Sequence, residues 1–95
     1  MPLLNVADIE EKLKHVQGWS QQGKEIVREF EFENFVKAMQ FVNAVAEQAE
    51  AAGHHPDIDI RYNRVKLALV SHDAGGLTER DFQMASSISQ IPTKN

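Results

Sequence analysis

The sequence predicts an α+β domain of order α-β-β-α-β-β-α, a four-stranded antiparallel sheet with three helices packed on one face. Three observations carry this. Apolar side chains alternate with a period of two in residues 25–33 and again in 64–71. Between these stretches, residues 35–49 carry apolar side chains at helical spacing. The strands come as neighbouring pairs separated by helices, which favours antiparallel pairing with the helices gathered on one side.

Each element has its own signals. Asn5 caps a first helix, with Asp8 three positions into it, Val6, Ile9, Leu13 and Val16 on one side, and Gly18 at its end. Residues 19–22 begin a strand and Gly23 turns the chain. In 25–33, Ile26, Phe30 and Phe32 share a face against Val27, Glu29, Glu31 and Glu33, with Arg28 the exception on the apolar side. Asn34 caps a long second helix whose stripe is Phe35, Ala38, Met39, Val42, Val45, Ala46 and Ala49. Gly53 stops that helix, and Pro56 prevents its resuming and favours an extended His55. Residues 58–62 and 64–71 form two strands around a turn at Asn63; Val65, Leu67 and Leu69 share one face of the second, Lys66, Ala68 and Val70 the other. Gly75-Gly76 makes a flexible turn. Thr78 caps the last helix, which turns Leu77, Met84, Ile88 and Ile91 inward and stops at Pro92.

Ninety-five residues without repeat or linker predict a single domain, 1–95. A core of that size is modest, so self-association is a natural supplement. The composition, 42% hydrophobic and 25% charged, is that of a folded globular chain. A net charge of −4 argues against a nucleic-acid ligand, which requires a cationic footprint. No apolar run approaches the roughly 18–20 residues needed to span a bilayer. Residues 1–8 lack a basic leader segment, and the absence of cysteine removes disulfides, zinc thiolates and thiol catalysis. A cytoplasmic protein is the expectation.

The chemistry concentrates between Glu50 and Asp81, where three of the four histidines lie. Histidine both gives and takes protons near neutral pH, so the cluster suggests proton transfer or a metal. His54 and His55 are adjacent, and on an extended segment adjacent side chains point to opposite sides, which makes a poor chelating pair. No metal is expected. Taken alone, His54-His55-Pro56 suits a structural role equally well. His72 shifts the balance, because it ends a hydrophobic strand and opens a glycine-containing loop, where sites are often built. Thr78-Glu79-Arg80-Asp81 fits a capping box, yet Asp81 also falls on the inward stripe of its helix, where a carboxylate needs a partner such as histidine. Glu50 reads as a surface residue or a neighbour of the histidine pair. Trp19, the lone tryptophan, suits a core position or a ligand platform.

Glu50, three residues, His54-His55-Pro56, then Tyr62, His72 and Asp81 resembles the pterin-4a-carbinolamine dehydratase family, also known as the dimerisation cofactor of a homeodomain transcription factor. Gly18-Trp19, Phe30-x-Phe32, Tyr62-Asn63-x-Val65 and Gly76-Leu77-Thr78-Glu79-x-Asp81-Phe82 extend the similarity over nearly the whole chain. Two departures stand out: Asp57-Ile58-Asp59-Ile60 where many members have a tryptophan, and Ser71 where threonine is common.

The resemblance implies loss of water from 4a-hydroxytetrahydropterin to give quinonoid dihydropterin, the recycling step after an aromatic amino acid hydroxylase. It implies no cofactor, since the pterin is the substrate. His54, His55, His72 and Asp81 form the implied catalytic set. His54 and His72 would move the protons, His55 would hold the substrate, and Asp81 would orient a histidine, His72 by preference. Glu50, Pro56, Ser71, Asp73, Ala74 and Trp19 form the implied binding set. The resemblance also implies a homodimer or homotetramer. Two alternatives accompany it: a protein-interaction cofactor that stabilises a transcription-factor dimer, and a pterin-binding module without turnover.

Overall fold

The structure, a computed structural model, describes residues 2–93. Met1, Lys94 and Asn95, at the ends of the expected domain, lie outside the described residues. The elements are α1 (Val6–Leu13), β1 (Ser20–Gln22), β2 (Glu25–Glu31), α2 (Phe35–Ala52), β3 (Asp57–Arg61), β4 (Arg64–Leu69) and α3 (Glu79–Ser89). The order is the one the sequence predicts, and the helices pack on one face of a four-stranded antiparallel sheet.

The caps are local chemistry. The Asn5 side chain accepts from the Asp8 N–H at 2.8 Å and the Asn34 side chain from the Lys37 N–H at 2.9 Å. Each satisfies an amide that an open helix end leaves unpaired. Gly53 closes α2 in the left-handed region at φ 65°, a conformation that costs glycine little.

The strand order is β1-β2-β4-β3. β4 pairs antiparallel with both β2 and β3, so the latter two run parallel to each other with α2 crossing between them. Ile26 opposite Leu69 and Phe30 opposite Val65 set the helix-facing side, and Ile26, Val65, Leu67 and Leu69 are fully buried there. Onto that face pack Ile9, Ala38, Phe41, Val42, Val45, Phe82, Ala85 and Ile88. Phe41 meets Phe30 and Phe32 with ring centroids 4.6 and 5.1 Å away.

Three expectations are corrected here. α1 stops at Leu13 rather than at Gly18, and Val6 is exposed. The buried stripe of α2 runs through Ala38, Phe41, Val42, Val45 and Ala49, leaving Phe35 and Ala46 outside. Trp19 is core: it is 5% exposed, and its indole N–H donates to Ser89 Oγ at 3.2 Å.

Arg28, the exception on the apolar face, places its guanidinium 4.4 Å from the Phe30 ring centroid and donates to Gln17 O and Ser89 Oγ. Gly18 lies against it at φ 90°, where an added Cβ would come within 2.7 Å of Arg28 Nε. Gly18→Ala therefore strains the backbone and displaces the guanidinium. The expected loss is about 1–3 kcal/mol in urea unfolding. A change below about 0.5 kcal/mol would contradict this account.

Candidate active site

The site forms where α2, β4 and α3 end or begin on one side of the core. After Gly53 reverses the chain, the His54 N–H bonds to Ala49 O at 3.2 Å and turns the His54 ring inward. His54 is 6% exposed. His55, one residue on, faces out and donates from Nε2 to Glu50 Oε2 at 2.5 Å. The adjacent rings thus serve different partners, as extended backbone dictates.

Inside, His54 Nε2–H donates to Asp81 Oδ1 at 2.6 Å. Asp81 is fully buried. Its other oxygen accepts from Ser71 Oγ and from the Thr78 N–H, each at 2.9 Å. The Ser71 hydroxyl proton goes to Asp81, so Thr78 Oγ1 donates to Ser71 Oγ at 2.8 Å. Asp81 is thus both the helix-end residue and the inward-facing carboxylate that the sequence left as alternatives. Its histidine is His54, not the expected His72.

The residue pair is favourable because every member is satisfied. A buried carboxylate is costly unless it is hydrogen-bonded, and here three donors converge on it. A carboxylate accepts only, so the bond fixes a proton on His54 Nε2, and in the neutral ring the lone pair then lies on Nδ1.

His72 approaches from the loop after β4. Gly53, His54, His55, Val70, His72, Asp73 and Arg80 border an open cavity of about 290 Å³, just below the roughly 300–1,000 Å³ range for small-molecule sites. A wider cleft of about 760 Å³ between α2 and α3 shares His54 and Arg80 as a wall, with Gln48, Ala51, Gln83 and Met84 beyond. The smaller cavity is the candidate site, because all three clustered histidines meet there.

The remaining expected site residues separate into groups. Asp73 borders the cavity, but its carboxylate accepts from Arg80 Nη2 at 2.6 Å. That hydrogen bond, with the guanidinium charge, holds Asp73 below its ordinary pKa of 3.8. A lowered carboxylate stabilises the fold above its unfolded value and loses that contribution as pH falls through the folded one. Asp73 is therefore ionised near neutrality. The Glu50 carboxylate accepts from His55 Nε2–H at the exposed rim. Ser71 is fully buried, with its hydroxyl on Asp81 and its carbonyl accepting from Ala74, Gly75 and Gly76 N–H groups; it holds the site rather than lining it. Ala74 is tied into the same turn, and Pro56 is buried at the start of β3. Trp19 is anchored at Ser89, about 12 Å along α3 from Asp81. Burial of its ring in the core is why it offers no platform.

Among the described residues, no group of three or more histidine and carboxylate side chains is arranged to hold a metal ion. Sequence reasoning missed Arg80. The available signal was its place in the first turn of α3, where the helix dipole disfavours a cation unless a partner compensates.

Residues 2–91 match the family described as pterin 4 alpha carbinolamine dehydratase. A chain from Acidobacterium capsulatum, named provisionally as a pterin-4-alpha-carbinolamine dehydratase, is 63% identical over 91 residues, covering 96% of this chain and 99% of the relative. Among solved structures, a transcriptional coactivator/pterin dehydratase from Brucella melitensis superposes with a TM-score of 0.89 at 34% identity, covering 93% of this chain and 96% of that one. A pterin dehydratase-like protein described as a RuBisCO assembly factor of the alpha-carboxysome superposes at 0.65 with 26% identity, covering 78% of this chain and 88% of its own.

Proposed function

Because this chain belongs to the pterin 4 alpha carbinolamine dehydratase family, we propose that it is a hydro-lyase that removes water from 4a-hydroxytetrahydropterin. The observation that carries the reading is that His54, bonded to the buried Asp81, borders the same cavity as His72.

The reaction breaks the C4a–O bond, sends the hydroxyl away as water with an added proton, and removes the proton of a ring nitrogen to leave the quinonoid dihydropterin. One acid and one base suffice, and each positioned group contributes typically about 10²–10⁴-fold. His54 suits the base, since Asp81 occupies Nε2 and leaves the Nδ1 lone pair. His72, exposed at the loop, suits the acid that reaches the departing hydroxyl. His55, held by Glu50, suits substrate binding at the rim. No cofactor enters this chemistry.

The same reading places the enzyme in the cytoplasm, in pterin recycling linked to an aromatic amino acid hydroxylase. Its partners are then the pterin and further copies of the chain in a homodimer or homotetramer. The net charge of −4 speaks against a nucleic-acid partner, and among the described residues no helix is long and apolar enough to cross a membrane.

The test generates the carbinolamine with a hydroxylase and follows its decay by absorbance. Acceleration by micromolar protein, unchanged by chelator, is expected. Pterin binding without acceleration would mean a binding module, and neither would leave an interaction role. Loss of activity on chelation would overturn the metal-free mechanism.

A further inference from the structure

The first turn of α3 governs more than His54. Two consecutive residues there reach apart: Asp81 takes His54 and Ser71, while Arg80 Nη2 donates to Asp73 Oδ1 at 2.6 Å. Ser71 and Asp73 are the two chain neighbours of His72. The histidine is therefore bracketed, on both sides, by side-chain bonds that end on adjacent residues of one helical turn.

The base of the loop is closed by its own backbone. Ser71 N bonds to Gly76 O at 3.0 Å, and the Ala74, Gly75 and Gly76 N–H groups return to Ser71 O. These bonds define the turn but do not tie its tip to the helix layer. The Asp73–Arg80 pair makes that tie.

Arg80 holds this place at a cost. It is a cation in a first helical turn, where the dipole opposes positive charge. Its Nε is buried without a hydrogen-bond partner, which is unusual for a guanidinium free to choose its conformation. Both features are explained if the side chain is placed for Asp73 rather than for its own solvation.

We propose that Arg80 is a positioning residue whose ion pair with Asp73 docks the loop tip and sets the His72 ring against the His54 that Asp81 holds. Both histidines then take their positions from the same turn of α3. The proposal rests on the dehydratase reading of the cavity and assigns Asp73 to loop docking rather than to direct substrate contact.

A double-mutant cycle tests it, with Arg80→Gln, Asp73→Asn and the double variant read in two ways. In turnover, each single substitution is expected to lower kcat about fivefold with KM little changed, the upper range for an exposed ion pair. The double variant should be no slower than the slower single, because the two residues act as one unit. Arg80→Lys, which keeps the charge, should recover part of the rate. Independently, amide hydrogen exchange of Ala74, Gly75 and Gly76, whose N–H groups are bonded within the loop, should quicken about fivefold without substrate in both single variants, with sheet amides unchanged. Multiplicative loss, about 25-fold in the double variant, would overturn the proposal by showing separate roles. Unchanged exchange in the loop would overturn it too. The exchange measurement needs no substrate, so it decides the docking role even where the dehydratase reading itself fails.

Discussion

A His72→Ala variant is expected to dehydrate the carbinolamine about 10²–10⁴-fold more slowly than the parent chain, with unfolding free energy unchanged within about 0.5 kcal/mol. The two expectations have one cause. The His72 side chain is exposed at the cavity and, among the described residues, makes no hydrogen bond or ion pair that alanine would remove. A residue that contributes to the rate but not to stability is the signature of a group working on the ligand. His54→Ala gives a different pair of results. It lowers the rate by a similar factor, but it also leaves the Asp81 carboxylate buried without its His54 Nε2–H donor. Removing one hydrogen-bond donor from a buried carboxylate that keeps its other two costs about 1–3 kcal/mol. Comparing kcat and urea midpoints for the two variants therefore separates the exposed histidine from the buried one. A His72→Ala enzyme that kept its rate within threefold, roughly the scatter of surface substitutions, would move the acid role to His55 and undo the assignment made here.

Local chemistry made the elements of this fold legible. Asn5, Asn34, Gly53 and Thr78 mark helix ends because each answers a backbone demand that exists before tertiary structure does. The β2 and β4 alternation was readable for the same reason, since period two is set by the chain itself. What failed was phase and partner choice. Phe35 and Phe41 look alike in sequence, and only the docking angle of α2 on the sheet decides that Phe41 meets Phe30 and Phe32 while Phe35 stays out. The placement of β4 between β2 and β3 is likewise a long-range outcome.

At the site, the histidines and Asp81 could be named from spacing, but not paired. Asp81 lies 27 residues from His54 and nine from His72, yet it bonds the distant one. The reason is that the Gly53 reversal drives His54 into the core beside the start of α3, whereas His72 follows a strand end outward. Arg80 was invisible because a surface arginine and a docking arginine share one letter; only its position in a first helical turn distinguished it.

Asp81 is the residue on which the geometry depends most, and two substitutions divide its roles. Asp81→Ala leaves His54 Nε2–H, Ser71 Oγ–H and the Thr78 N–H buried without an acceptor. Each unpaired donor costs about 1–3 kcal/mol before relaxation, so a loss of about 3–5 kcal/mol is expected. For a 95-residue domain that is a large share of the total stability. Asp81→Asn keeps the shape. Its amide oxygen can still accept from Ser71 and Thr78, while its NH₂ now faces His54 Nε2. To avoid donor meeting donor, His54 must move its proton to Nδ1 and accept at Nε2. The fold survives, with a loss of about 1–2 kcal/mol, but the lone pair that was to take the substrate proton is gone. A kcat lower by about 10²–10⁴-fold is then expected, with KM nearly unchanged, as when a base is held in the wrong tautomer. Nitrogen-15 NMR of the imidazole would report the switch directly, since the protonated ring nitrogen is distinguishable from the bare one. An Asp81→Asn enzyme with the switched tautomer and full activity would remove His54 as the base. Such a result would leave Asp81 as a purely structural centre of the site.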